Sequence, residues 1–331
     1  MNSSQTPVVS IIICTCNRAD DVEATLQSFA RLDVPPDLPT ELIVVDNGSK
    51  DDTMQRLEDA TTKSLPNMTL RVLCEPRRGR SNALNTALAA ARGQIVLLTD
   101  DDVHPEANWL REICAPLLDG RADAVAGRIR IAPHLLRPWM TRRERALLAS
   151  TEWPEDAQPQ DIKNPFLVGA NSGFKRAVFS RVPAFDTELG PGKLGFEDDV
   201  LITLQLRKAG FRIEAVPGAV VEHHFQPARL LRSSFLSRAE QSGKGRGYLT
   251  HHWQHERVSV PHLRLIKHKL KLAWMRLLHR RECRAPEGCP EWEMSLLQDV
   301  CFIEQYVIER RRPRNYDYQG LVQRAPHKAS A

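Results

Sequence analysis

Four short apolar runs set the rhythm of the chain: Val8 to Cys14, Glu41 to Val45, Leu70 to Leu73 and Ile95 to Leu98. They are rich in β-branched residues or leucine and bounded by turn residues, the pattern of strands buried on both faces. Between them the period changes. Val22, Leu26 and Phe29 share one face of a helix predicted over Asp20 to Leu32. A second helix is predicted over Asp51 to Thr61, opened by Ser49 with Asp52 three residues on, as in a capping box. The alanine-rich stretch Ser81 to Ala91 predicts a third. Strands alternating with helices of this length predict βαβ units and an α/β fold, a Rossmann-like, mostly parallel sheet flanked by helices. Right-handed crossovers then place the strand C-termini on one edge.

Polar residues collect at that edge. The first strand runs into Thr15-Cys16-Asn17-Arg18, the second into Asp46-Asn47-Gly48-Ser49 and the fourth into Asp100-Asp101-Asp102. Three adjacent carboxylates repel one another, and folding gives no reason for them. They read either as a solvated acidic turn or as the seat of a hard divalent cation, Mg²⁺ or Mn²⁺, whose preferred ligands are carboxylate oxygens. Ligands of open α/β sheets bind at this same edge. Asp46 can close an Asx-turn, accept from a ribose hydroxyl or base N–H, or do both. No G-x-x-x-x-G-K-[ST] is present and no G-x-G-x-x-G follows the first strand, which excludes a P-loop and argues against a dinucleotide site.

V-S-I-I-I-C-T-C-N-R, E-L-I-V-V-D-N-G-S, R-G-R-S-N-A-L-N-T-A-L and G-Q-I-V-L-L-T-D-D-D-V, in that order, resemble the nucleotide-sugar half of a family two glycosyltransferase of GT-A fold. N-P-F-L-V-G-A-N-S-G-F-K-R, F-D-T-E-L-G, G-F-E-D-D-V-L-I-T-L-Q-L-R-K-A-G-F-R-I and V-V-E-H-H-F are similar to its acceptor half. The resemblance divides the chain into a catalytic domain over 7–226, with a donor half at 7–103 and an acceptor half at 104–226, and an extension over 227–331. Leu84 departs from the pattern. Many members carry arginine there, before the asparagine matched by Asn85, and Arg80 is the charge at hand to replace it.

The resemblance implies inverting transfer of a sugar from a nucleoside diphosphate to a hydroxyl of a glycan or lipid-linked glycan, with Mn²⁺ or Mg²⁺ as cofactor. It implies that Asp100 faces the nucleotide ribose, that Asp102 binds the metal, and that His223 touches the metal or the pyrophosphate. Thr15, Asn17, Arg18, Asp46, Asn47, Arg80 and Asn85 join the nucleotide-sugar set, as does Asp101, without a role of its own. Gly169 and Asn171 belong to the segment that lines the donor sugar, Gly169 to Gly173, which by itself reads as a loop that starts a helix. Inverting displacement needs a carboxylate base for the acceptor hydroxyl. Glu197, Asp198 and Asp199 are the candidates, Asp198 first and Asp199 second, an order set by the resemblance. Acids at a helix start are also favoured by the helix dipole alone. Like charges so close raise one another's pKa, which suits a base near neutral pH. Asp186 reads as support for an acceptor loop, residues 188–196 as a mobile flap, and Arg128 to Thr151 as a basic acceptor-side insertion.

Of the 331 residues, 42% are hydrophobic and 26% charged, so a soluble globular chain is expected. No apolar run approaches the ~18 residues of a membrane span. The N-terminus lacks a basic n-region, so no signal peptide is expected. Seven scattered cysteines predict reduced thiols and a cytoplasmic setting. The net charge of +5 conceals an asymmetry, since residues 227–331 hold 20 Lys/Arg against 10 Asp/Glu. A basic, mainly helical extension follows. Within it, Ile266, Leu270, Trp274 (or Ala273) and Leu277 recur at helical spacing over Leu263 to His279, among Lys267, Lys269, Lys271 and Arg276. Such a helix either lies on an anionic membrane surface, at the inner face of the plasma membrane, or packs against the catalytic domain. His251, His252 and His255 have no matching acid or cysteine pattern nearby for zinc and predict a solvated helix face, and Arg310 to Arg314 a terminal basic tail. No nucleic-acid module is present. A nucleotidyltransferase would need a glycine-rich loop after the first strand, and Cys14 to Arg18 has no glycine. A non-catalytic nucleotide-sugar binder would not need both acidic triplets.

Overall fold

The computed structural model describes residues 6–63 and 65–324. Of the readings above, those that fall on residues 1–5 of the N-terminus and 325–331 of the basic extension lie outside them. β1 (Val9–Thr15), α1 (Ala19–Phe29), β2 (Thr40–Asp46), α2 (Thr53–Lys63), β3 (Thr69–Cys74), α3 (Arg80–Ala90) and β4 (Ile95–Asp100) alternate close to their expected bounds. The sheet and its cover are completed by β5 (Val103–Pro105), α4 (Trp109–Leu118), β6 (Ala124–Ile131), α5 (Arg142–Leu147), β7 (Asn171–Lys175), α6 (Asp198–Lys208) and β8 (Ile213–His223). Three helices follow, α7 (Arg232–His252), α8 (Pro261–Leu278) and α9 (Glu291–Glu309).

The eight strands form one sheet in the order β3-β2-β1-β4-β7-β6-β8-β5. β3, β2, β1 and β4 are parallel, and β7 runs antiparallel to both of its neighbours. The register puts Thr15 opposite Asp46 and Cys14 opposite Asp100, so the three polar strand ends lie side by side. Val9, Ile11 and Ile13 enter a core with Val22, Leu26 and Phe29 of α1 and Trp109 of α4. Ile12 enters the opposite core, with Ala83, Leu84 and Ala87 of α3 and Ile202 and Leu206 of α6. Both faces of β1, β2 and β4 are covered, which is why they read as largely apolar runs.

Several expectations change. The stretch read as a loop starting a helix is instead strand β7, with Ser172 paired to Leu98 of β4. Pairing against a buried neighbour decides strand formation there, in a segment with weak local preference. Ser49 and Asp52 make no capping box. Asp51 accepts from the backbone N–H of Thr53 at the start of α2, while Ser49 Oγ accepts from that of Asn17. His251 and His252 are buried rather than solvated. His252 Nε2 lies 2.9 Å from Glu309 Oε2, and its Nδ1 accepts from the backbone N–H of Asn315. These long-range partners leave no mark on the local sequence. Arg312 is likewise no free tail, since it pairs with Glu188 and Glu309.

The extension also reaches the base of the 188–196 segment. Tyr248 and Tyr316 each donate a hydroxyl hydrogen bond of 2.7 Å to Asp186 Oδ2, and Asn315 Nδ2 donates to Glu188 Oε1 at 2.7 Å. Asp186 is thus a buried anchor. α7 and α9 pack closely because Gly243 has no Cβ, which would stand 2.4 Å from the Gln298 carbonyl oxygen. α8 contributes Leu272 to the core these helices share with α5. Its remaining apolar stripe faces outward: Leu263 is 66%, Ile266 56%, Leu270 66%, Trp274 60% and Leu277 58% exposed. Packing against the body accounts for Leu272 and not for the stripe. Among the described residues, no helix is long and apolar enough to cross a membrane.

Candidate active site

Two cavities open along the polar edge of the sheet. The smaller, about 410 Å³, is lined by the ends of β1 and β4 (Thr15, Asn17, Arg18 and Asp100 to Asp102) together with Asn47 and Gly79. The larger, about 570 Å³, is lined by Asp198, Asp199, Gly169, Phe196 and the N-terminal half of α7. Arg80, Asp100, Pro191 and Arg229 belong to both walls.

Arg80 is the partition. It starts α3, and its guanidinium spans from Asp100 Oδ1 at 3.0 Å to Asp198 Oδ2 at 3.1 Å, although Arg80 and Asp198 are 118 residues apart in sequence. Gly169 makes room for it, because a Cβ there would stand 2.2 Å from Arg80 Nη2. The backbone of the 188–196 segment is pinned alongside, with Arg80 N–H donating to Pro191 O and Ser81 Oγ to Leu189 O.

The second acidic triplet divides its contacts. Glu197 stands just before α6 at φ +86° and accepts from Ser242 Oγ at 3.0 Å. Asp199 Oδ2 accepts from the Gly169 N–H at 2.8 Å, which joins α6 to the approach of β7. Asp198 is buried at the first turn of α6. Burial, then the neighbouring Asp199, hold its pKa well above the usual carboxylate range against the pull of Arg80.

At the end of β4, Asp102 Oδ2 is paired to Arg18 at 2.7 Å and to Arg229 at 3.1 Å. Burial would raise its pKa, but His223, Arg229 and Arg18 hold it far below the usual range. Oδ1 is buried without a hydrogen-bond partner and lies 3.1 Å from His223 Nε2. The tautomer of His223 follows from its partners. Nδ1 faces the Leu148 carbonyl at 2.9 Å and donates to it, so in the neutral imidazole Nε2 carries a lone pair, which faces Arg229 Nη1 at 3.1 Å, and in the imidazolium Nε2 donates to Asp102 instead. With His223 neutral, two electron-rich atoms converge, one on a carboxylate and one on an imidazole whose far nitrogen is fixed by a carbonyl, an arrangement that fits a divalent cation. Among the described residues no group of three or more His, Cys, Asp or Glu side chains converges on a cation site, so these two are a partial ligand set.

The other candidates are used locally to different degrees. Asp101 accepts from Thr15 Oγ1 at 2.7 Å and from Arg18 at 2.9 Å, and so fixes the end of β1 against β4. Burial raises its pKa to about 7, with Arg18 opposing and Asp102 adding to the rise. Asn17 is at φ +54°, and its Oδ1 accepts from the Lys50 N–H. Asp46 accepts from the N–H groups of Gly48 and Ser49, the Asx-turn reading, and lines neither cavity. Asn47 lines the smaller one while binding the Glu75 and Arg77 carbonyls and the Gly79 N–H. Asn85 holds both backbone groups of Phe185, and Asn171 holds Trp109 Nε1 and the carbonyls of Arg128 and Ala219. Neither Asn85 nor Asn171 reaches a cavity wall.

A family model described as glycosyl transferase family 2 matches residues 10–182, just over half of the chain. The chain belongs to glycosyl transferase family 2. This family 2 chain is 23% identical over 222 residues to the probable glycosyltransferase YdaM of Bacillus subtilis (strain 168), covering 66% of this chain and 51% of that protein. It is 26% identical over 191 residues to the O-antigen chain rhamnosyltransferase WbaN of Salmonella anatum, covering 56% of each. It spans about half the length of several of the curated relatives it matches. Its fold is that of the mannosyltransferase PcManGT from Pyrobaculum calidifontis, solved with GDP-Man and Mn²⁺, at a TM-score of 0.57 and 21% identity over 93% of this chain and 88% of that one. The expected GT-A-like, mostly parallel sheet with a helical C-terminal part agrees with this likeness.

Two arginines of the family 2 chain carry no sequence signal for their place in the site. Arg229 reaches Asp102 and His223 from a short turn after β8, and Arg238 reaches the larger cavity from α7.

Proposed function

We propose that this chain is an inverting, metal-dependent glycosyltransferase. It takes a glycosyl group from a nucleoside-diphosphate sugar in the smaller cavity and delivers it to a hydroxyl acceptor in the larger one. The observation that carries this reading is Arg80, which joins Asp100 to Asp198 across the wall between the two cavities. The nucleotide lies along Thr15, Asn17, Asn47 and Asp100, with its diphosphate towards Arg18 and Arg229. Asp102 and His223 are the residues that would hold Mn²⁺ or Mg²⁺. Such a cation, when bound, neutralises charge on the departing diphosphate. The acceptor oxygen bonds to the sugar C1 as the C1–O bond to the diphosphate breaks. The hydroxyl proton passes to the Asp198 carboxylate, on the face opposite the leaving group. Residues 7–226 form the catalytic part in this reading and 227–331 its extension. PcManGT, with its GDP-Man and Mn²⁺, supports the donor class and the metal. A thermal-shift panel of nucleotides and nucleotide sugars with Mn²⁺ tests the reading. Stabilisation by a nucleoside diphosphate or its sugar is expected, and a flat panel would overturn it.

For the extension we infer contact with an anionic lipid surface, at the cytoplasmic face of a membrane. The outward stripe of α8 supports this, together with Arg264, Lys267 and Lys271, which have no ion-pair partner among the described residues. Vesicles containing phosphatidylglycerol are expected to sediment the protein and phosphatidylcholine vesicles are not. Leu270→Glu with Trp274→Glu is expected to abolish that binding. Equal sedimentation of wild type and variant would overturn the inference.

A further inference from the structure

The helix that closes the larger cavity carries a cation without a counter-ion. Ser234, Ser237, Arg238, Gln241 and Ser242 line that cavity and share one face of α7 at helical spacing. Arg238 is partly buried there. Its Nη1 donates to the Leu147 carbonyl at 2.8 Å, and its guanidinium carbon lies 5.4 Å from the centre of the Phe196 ring. Of the other arginines that line the two cavities, Arg18 pairs with Asp101 and Asp102, Arg80 with Asp100 and Asp198, and Arg229 with Asp102, while Arg78 is exposed to water. Among the described residues no carboxylate pairs with Arg238. Burial, then the neighbouring Arg229, push its pKa down to about 10, which still leaves it charged at neutral pH.

A guanidinium taken partly out of water without a counter-ion is disfavoured, and its fork of donors matches the oxygens of a phosphate or carboxylate. Among the described residues the fold supplies no such group within ion-pair distance, and Asp102 and Asp100 act on Arg238 only from farther off. The walls around it include the apolar side chains of Ala146, Leu147 and Val168. Arg238 lines the cavity of Asp198, which also takes in His223 and Arg229, and does not line the one that holds Asp101, Asp102 and Arg18; nucleotide affinity in an Arg238 variant therefore tells an acceptor anion from the donor diphosphate.

We propose that the acceptor is an acidic molecule, and that its phosphate or carboxylate sits on Arg238 while its hydroxyl faces Asp198. This rests on the glycosyl-transfer reading above and names the class of acceptor for the same site. Arg238 is a specificity-determining residue in this scheme and takes no part in bond making.

The test uses one three-carbon alcohol in three charge states. The 331-residue chain is saturated with Mn²⁺ and the nucleoside diphosphate that stabilises it most. It is then titrated calorimetrically with glycerol 3-phosphate, glycerate and glycerol. At least one of the two acids is expected to bind and glycerol is not. Which acid binds tells phosphate from carboxylate. Arg238→Gln is expected to weaken that binding on the order of tenfold or more and to leave nucleotide affinity unchanged. Ser234→Asp keeps the arginine but sets a carboxylate one helical turn before it, and is expected to produce the same loss. Binding of neither acid, equal binding of all three probes, equal acid binding by wild type and both variants, or a loss of nucleotide affinity in Arg238→Gln would each overturn the proposal. Failure of any nucleoside diphosphate to bind the wild type would instead overturn the glycosyl-transfer reading beneath it.

Discussion

Asp198→Asn is expected to leave donor affinity unchanged and to cut sugar transfer by roughly a hundred- to ten-thousandfold, the usual contribution of a general base. The amide keeps the shape of the side chain and can still accept from Arg80, which approaches Asp198 Oδ2 at 3.1 Å in the wild type. What it loses is the ability to take a proton. The raised pKa of Asp198 also fixes the sign of the pH dependence. Only the carboxylate form accepts the hydroxyl proton, so transfer by the wild type is expected to rise with pH through that raised pKa and to fall as the group is protonated below it. The variant is expected to lose this limb of the profile. Steady-state transfer rates across pH, alongside calorimetric donor affinities, separate the outcomes. Full activity in Asp198→Asn would move the base to Asp199 or Glu197. Of these, Asp199 is already committed through Oδ2 to the Gly169 N–H, and Glu197 to Ser242.

Asp102→Ala is expected to remove the effect of Mn²⁺ on donor binding. Outer-shell partners of a metal typically contribute about 10–100-fold to its affinity, and a direct ligand at least as much. The alanine also leaves Arg18 and Arg229 facing one another without the carboxylate that now separates them. Asp102→Asn, which keeps the volume, is therefore measured beside it by thermal denaturation and donor calorimetry with and without Mn²⁺. Wild-type affinity that does not change when Mn²⁺ is withdrawn would overturn the metal role of Asp102 and His223.

Much of the fold could be read from the sequence, because its strands are covered on both faces. Val9, Ile11, Ile12 and Ile13 are apolar on both faces, with buried Ser10 satisfied by Glu41, and that leaves a local record. The strand ends were legible for a related reason, since an acidic triplet placed after a buried strand is not a folding requirement. Contacts between remote segments leave no such record. The Arg80 bridge unites α3 with the ends of β4 and α6, and no residue near Arg80 in sequence announces it. Asn85 and Asn171 show the reverse case. Their motifs fit a sugar-binding enzyme, but their amides hold Phe185, Trp109 and backbone carbonyls. A buried amide that supports a wall and one that binds a ligand are the same letter in a sequence. His252 was illegible for the same reason, as its partner Glu309 lies 57 residues away.

The two tyrosines that meet on Asp186 bear on how the molecule is made. Asp186 sits at the root of the segment that lies against Arg80, and one of the hydroxyls that hold it belongs to Tyr316. A ribosome must therefore have released the chain well past both acidic triplets before this brace can close. The nascent donor half can pair its strands early, but the wall between the two cavities receives this support only after Tyr316 has emerged.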